Sequence, residues 1–159
     1  MKNLHILRHA KTNPFSSSGK DIDRELLPKG IKQALLFRKE KASCINNIKI
    51  ICSPSQRTKQ TLELIKSNLG YSIVEYVDIL YLASSNEIES LINKQGKAKE
   101  DLFIIGHNFG LSDLVSSATN KDIYLKTCEY VCLQININYW EEYVEGLGKI
   151  SDSFKSQTS

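Results

Sequence analysis

Arg8 and His9 stand side by side directly after the apolar run Leu4-His5-Ile6-Leu7. Arg57 follows Ser53-Pro54-Ser55-Gln56, directly after the run Ile48-Lys49-Ile50-Ile51-Cys52. His107 lies between Gly106 and Asn108, after Leu102-Phe103-Ile104-Ile105. Each apolar run reads as a buried strand, so two arginines and two histidines stand at or just beyond strand ends. Guanidinium groups match the oxygens of a phosphate bidentately. Taken together, the four side chains suit the binding of a multiply charged anion, phosphate above all. Taken singly, each has an ordinary structural use: a surface arginine, a first-turn helix residue, a turn histidine. Arg57 conflicts with the positive end of a helix dipole, a conflict that a bound anion removes. His5 falls inside its strand and reads as structural.

The elements that position these residues alternate strand and helix. After the first strand, the polar stretch from Lys11 to Glu25 reads as a long loop, a kind that is often functional. A helix starting near Pro28 places Ile31, Ala34, Leu35 and Ala42 at helical spacing. The helix after Pro54 carries Thr58, Thr61, Leu62, Ile65 and Leu69 on one face and stops at Gly70. A strand over 72–77 and a helix over 86–94, with Ile88, Leu91 and Ile92 inward, come next. The helix from about Phe109 turns Leu111, Leu114, Val115 and Ala118 to the core. Two further strands are expected at 130–136 and about 143–150, and the polar residues 151–159 are expected to fray. The fold class is therefore α/β: a single-domain three-layer sandwich with a mostly parallel central sheet and helices on both faces. The domain is expected to span 1–150, with 151–159 as a polar C-terminal tail. In such a sheet ligands bind beyond the carboxyl ends of the strands, where helices starting after Pro54 and Asn108 add backbone N–H groups.

Composition sets the limits. With 159 residues, 41% hydrophobic and 25% charged, the chain is of a size and balance that builds one ordinary core rather than a disordered or fibrous structure. No run of 18 apolar residues is present, and the N-terminal residues lack a signal-peptide core, so a cytoplasmic location is expected. The net charge of +3 hides a split: residues 1–70 carry 14 Lys/Arg against 5 Asp/Glu, and residues 71–159 carry 7 against 13. A basic half suits an anionic partner. No basic helix interleaved with aromatics supports nucleic acid, and no membrane partner is expected. Cys44, Cys52, Cys128 and Cys132 lack the clustering of a zinc site, so no metal or other cofactor is expected. Cys128 and Cys132 would share a face if their segment were a strand. A cysteine phosphatase loop built on Cys52 and Arg57 is one residue too short and is interrupted by Pro54.

Three motifs in order, Leu7-Arg8-His9-Ala10, Ser53-Pro54 with Arg57-Thr58 and Gln60-Thr61, and Gly106-His107-Asn108 with Gly110-Leu111, resemble the histidine phosphatase superfamily, which includes phosphoglycerate mutase-like enzymes. Asp23-Arg24 with Leu26 and Gly30, Tyr81-Leu82-Ala83-Ser84, and Thr127-Cys128 extend the resemblance over residues 2–150. Small size, Ala10 in place of the usual glycine, and the Gly106-His107-Asn108 turn are most similar to SixA-type phosphohistidine phosphatases. The resemblance implies a metal-independent hydrolase in which His9 is transiently phosphorylated, while Arg8, Arg57 and His107 hold the phosphoryl oxygens. Arg24 is a possible further contact at the rim. The implied substrate is phosphohistidine in a protein; a small sugar or nucleotide-derived phosphomonoester, or non-catalytic phosphate binding, are the alternatives. Asp78 and Glu87 are candidates for a general acid by rough position only.

Overall fold

A computed structural model describes residues 1–156. Six strands form one sheet, and helices cover both of its faces. The chain runs β1 (Lys2–Arg8), α1 (Pro28–Glu40), β2 (Ile48–Cys52), α2 (Gln56–Ile65), β3 (Ser72–Tyr76), α3 (Ser85–Lys94), β4 (Asp101–Gly106), α4 (Gly110–Thr119), β5 (Tyr130–Ile135) and β6 (Gly148–Phe154). Sheet order is β3-β2-β4-β1-β5-β6. The first four of these strands pair in parallel, and β5 and β6 add an antiparallel edge.

Strand alternation sorts the core into two layers. Leu4, Ile6, Ile51, Leu102 and Ile104 face α3, α4 and the buried Trp140. Leu7, Ile48, Ile50, Phe103 and Ile105 face α1 and α2, meeting Phe37, Leu62 and Ile65. Strands buried on both faces must be apolar throughout, which is why β2 and β4 read as continuous runs rather than alternating ones. Among the described residues no helix is long and apolar enough to cross a membrane.

Several expectations need correction. In α1 the buried residues are Gly30, Gln33, Ala34 and Phe37, while Ile31 is exposed and Leu35 half-buried. The helix is turned so that the Gln33 amide meets the Lys11 N–H and the Thr127 hydroxyl, and Phe37 supplies the apolar anchor. The last strand lies at Gly148–Phe154 rather than 143–150, and Trp140–Glu142 form a short 3-10 turn before it. The sheet therefore extends past residue 150, and Phe154 is buried against Phe37 at 5.4 Å between ring centres. That contact replaces the fraying expected for 151–154, and residues 157–159 of the expected tail lie outside the described residues. Cys128 precedes β5 rather than sharing a face of it with Cys132, and takes a left-handed backbone with φ 56°.

Candidate active site

Three strand ends and one loop enclose a cavity of about 590 Å³. The ends of β1, β2 and β4 lie side by side, since Arg8 pairs in register with Gly106 and Cys52 with Ile105. Four sequence-predicted residues, Arg8, His9, Arg57 and His107, line that one cavity. Arg24 lines it too, as do Lys11, Asn108 and Thr127. The loop between β1 and α1 forms the far wall. It doubles back through a bridge between Thr12 and Leu26 and the Asn13 N–H to Glu25 C=O bond of 2.9 Å.

His9 is held on several sides. Its own N–H donates to the Gly106 carbonyl at 3.2 Å, and its carbonyl accepts from the Cys128 N–H at 3.0 Å. The next amide, Ala10 N–H, donates to Thr61 Oγ1 at 3.1 Å, and that hydroxyl donates to the Arg57 carbonyl at 2.8 Å. One threonine thus ties the end of β1 to the helix that carries Arg57. The His9 Nδ1 lies 2.8 Å from the Ala10 carbonyl, which can only accept, so Nδ1 carries the hydrogen and Nε2 keeps its lone pair. Burial, with His107, Arg57 and Arg8 nearby, pulls the His9 pKa down to about 3, against the partial support of that backbone bond. His9 is neutral over the ordinary pH range.

His107 sits 5.3 Å from His9 between ring centres. Its Nε2 meets Ser53 Oγ at 2.7 Å, and its Nδ1 is buried without a partner. Burial and then the Arg57 charge pull its pKa down to about 3. Arg8 donates through one terminal nitrogen to the Leu125 carbonyl at 3.0 Å and to Tyr124 Oη at 3.3 Å. Arg57 gives its terminal nitrogens to the Asp21 carbonyl at 2.8 Å and the Asp21 carboxylate at 3.0 Å. Both arginines leave a buried Nε unpartnered.

Asp21 was not among the residues singled out from sequence. It is the one carboxylate lining the cavity among the described residues, and it binds Arg57, Arg24 and the Tyr81 hydroxyl together. Burial alone pushes its carboxyl up, but Tyr81, Arg57 and Arg24 outweigh that and hold it at about 2. Asp21 also offsets the conflict between Arg57 and its helix end. The sequence signal for it is slight: an Asp three residues before Arg24, within a 3-10 turn at Asp21–Asp23. The acid candidates Asp78 and Glu87 do not line the cavity. Asp78 opens a 3-10 turn, and Glu87 closes a capping box with Ser84 at the start of α3. The two open helix ends expected at the site reduce to one, because Ser55 caps α2 by accepting from the Thr58 N–H, whereas α4 has no side-chain cap. His5 is structural, as expected, with Nδ1 at 2.7 Å from the Tyr130 hydroxyl.

Comparisons with known proteins agree with this arrangement. The sequence pattern of the Histidine phosphatase superfamily (branch 1) matches residues 4–80, a stretch that carries Arg8, His9 and Arg57. A protein of Agrobacterium tumefaciens described as a phosphohistidine phosphatase of the SixA type has a solved structure that superposes with a TM-score of 0.81, at 19% identity over 98% of each chain. The protein histidine phosphatase SixA, solved with tungstate, superposes at 0.73 with 19% identity over 95% of each chain. At these identities the likeness is one of fold. An uncharacterised chloroplastic protein of Arabidopsis thaliana is 26% identical over 156 residues, spanning 89% of this chain and 70% of its own length. The matched pattern and the shared fold meet on one set of strand ends: residues 4–80 match the histidine phosphatase superfamily, and the whole chain shares the fold of the SixA structures.

Proposed function

We propose that this histidine phosphatase hydrolyses phosphohistidine in a protein, through a phosphorylated His9. One observation carries the reading: Arg8 Nε, Arg57 Nε and His107 Nδ1 are all buried without partners, on residues that line the His9 cavity. Each unpaired buried polar atom costs about 1–3 kcal/mol, so two guanidinium donors and a ring nitrogen that donates in its Nδ1–H form call for a ligand rich in acceptor oxygens. A phosphoryl group supplies them.

The chemistry follows from the ring nitrogens. His9 Nε2 attacks phosphorus in line, a P–N bond forms to His9, and the P–N bond to the substrate imidazole breaks. Water then attacks the same phosphorus, releases inorganic phosphate and restores His9. Arg8, Arg57 and His107 stabilise the charge on the non-bridging oxygens in both steps. A dianionic phosphate beside His107 raises its pKa, so binding favours a proton on that ring.

The leaving group discriminates among substrates. An alkoxide needs a proton from an acid, and the lining carboxylate, Asp21, is ionised. A histidine leaving group carries a second ring nitrogen that solvent can protonate, so it departs as neutral imidazole without an enzymic acid. This favours phosphohistidine over sugar or nucleotide-derived monoesters. The free lone pair on His9 favours turnover over mere phosphate binding. Four cysteines that form no disulfide fit a reducing compartment such as the cytoplasm.

The test compares a phosphohistidine peptide with a panel of small phosphomonoesters, and looks for phosphorylated His9 after an alkaline quench. Faster turnover of the peptide and a transient label on His9 are expected. No label on His9, or preference for the esters, overturns the assignment.

A further inference from the structure

A second cavity, of about 330 Å³, adjoins the first and shares Arg8, Lys11 and Thr127 with it. Lys29, Gln33, Tyr124 and Lys126 complete its wall, and no Asp or Glu among the described residues lines it. Lys11, Lys29 and Lys126 are exposed, and among the described residues none of their ammonium groups makes an ion pair or a hydrogen bond. Some lysines elsewhere find carboxylates, among them Lys41 with Asp152 at 2.6 Å, Lys49 with Glu75 at 2.8 Å and Lys66 with Glu63 at 2.8 Å. Lys29 also stands in the first turn of α1, where no acidic residue offsets the helix dipole and no side chain caps the end.

The framework beneath these lysines is built rather than incidental. Gln33 is 1% exposed, accepts from the Lys11 N–H at 2.9 Å and donates to Thr127 Oγ1 at 3.3 Å, so one buried amide joins two of the walls. Gly30 lets α1 lie against the Lys11 backbone, since a Cβ there would meet the Lys11 carbonyl oxygen at 2.1 Å. The Lys126 N–H is fixed by the buried Glu129 carboxylate at 2.7 Å. Three backbone segments are locked while their ammonium groups remain free.

We infer that this lysine shelf is a second anion subsite, which receives acidic side chains of the phosphohistidine protein as its phosphoryl group enters the first cavity. The inference rests on the phosphohistidine reading above and adds which face of the substrate the enzyme reads. Lysines, as hydrated point charges on flexible stems, suit mobile carboxylates, whereas a tightly held second phosphate would call for a bidentate arginine cradle. Such exposed charges act on encounter and KM more than on the chemical step.

The test uses two phosphohistidine peptides, with glutamates or glutamines flanking the phosphohistidine, and the double variant Lys29→Gln/Lys126→Gln. The wild-type protein is expected to favour the glutamate peptide roughly tenfold in kcat/KM, through KM, with the preference shrinking as salt rises. The double variant loses most of that ratio. Equal kcat/KM for the two peptides in the wild type, or an unchanged ratio in the variant, overturns the subsite while leaving the phosphohistidine reading intact. Failure of the wild type on both peptides overturns that reading and the subsite with it. A third arm compares a bisphosphorylated small molecule with its monophosphate. A variant-sensitive preference there, with none between the peptides, overturns the acidic-protein assignment in favour of a second phosphate.

Discussion

The floor of the His9 cavity and the lysine shelf beside it are both positive, yet they are made in opposite ways. On the floor, His9, Arg57 and His107 are nearly fully buried, held by the Ala10 carbonyl, by Asp21 and by the Ser53 hydroxyl respectively. On the shelf, Lys11, Lys29 and Lys126 are exposed and unpaired above a fixed backbone. Buried, fixed donors stabilise charge that develops at one point, because nothing must reorganise as it appears. Exposed, mobile charges attract a range of shapes and are screened by salt. On the proposed reading, the difference separates reaction from recognition within one positive surface.

Substitutions on the floor should have the largest effects. His9→Ala should lower phosphate release by about four orders of magnitude or more without loss of fold, as removal of a nucleophile does. Full turnover in that variant, measured as phosphate release, would erase the distinction between the two regions. Arg57→Ala and His107→Ala should each cost roughly 10²–10³-fold in kcat. A loss confined to KM would mean the floor works as the shelf does. Folding stability gives a further handle. His9 and His107 are neutral in the fold with pKa values of about 3, against an ordinary 6.5. A histidine whose pKa is lowered by folding contributes stability that is full above about pH 6.5 and is lost as pH falls toward 3. Thermal or urea melts should therefore lose up to about 1.4 kcal/mol per group for each pH unit below that point. His9→Ala should flatten the slope, and an identical slope in the variant would contradict the buried neutral state. Asp21→Asn should have a smaller effect. It removes a negative charge from the cavity while the Asp21 carbonyl still holds Arg57, so inhibition by inorganic phosphate should tighten several-fold. Weaker inhibition would show instead that the carboxylate is needed to place Arg57.

How far the sequence foretold these two regions follows from what sets each. Arg8, His9, Arg57 and His107 were legible because β1, β2 and β4 are buried on both faces, so their apolar runs end sharply and the next residues are placed by the sheet. The inner face of α1 was not legible. Periodicity favoured Ile31 and Leu35, but burial went to Gln33, whose amide is satisfied by Lys11 and Thr127 from distant parts of the chain. Asp21 was hidden for the same reason: its partners Arg57 and Tyr81 are 36 and 60 positions away. The last strand was displaced because Trp140 and Tyr143 are buried in the core as part of a turn region, where apolar residues imitate a strand. The shelf lysines merged with a general positive charge until a cavity wall with no Asp or Glu among the described residues could be seen in space.

Cys52 and Cys128 stand against the site, the first at the end of β2 and the second bonded through its N–H to the His9 carbonyl. Burial pushes both thiols up to about 12, so almost none of either is thiolate at neutral pH. Peroxide attacks the thiolate, and a phosphatase that uses cysteine as its nucleophile must expose one to work. Here the proposed nucleophile is the imidazole of His9, and the adjacent sulfurs are protonated thiols. Turnover should therefore survive millimolar hydrogen peroxide, with oxidation directed to the exposed Cys44, before the opposite end of β2. Rapid inactivation that thiol reductants reverse would show that a buried sulfur opens to solvent. On the proposed His9 chemistry, phosphate removal would continue under the oxidative conditions that silence thiol-dependent phosphatases.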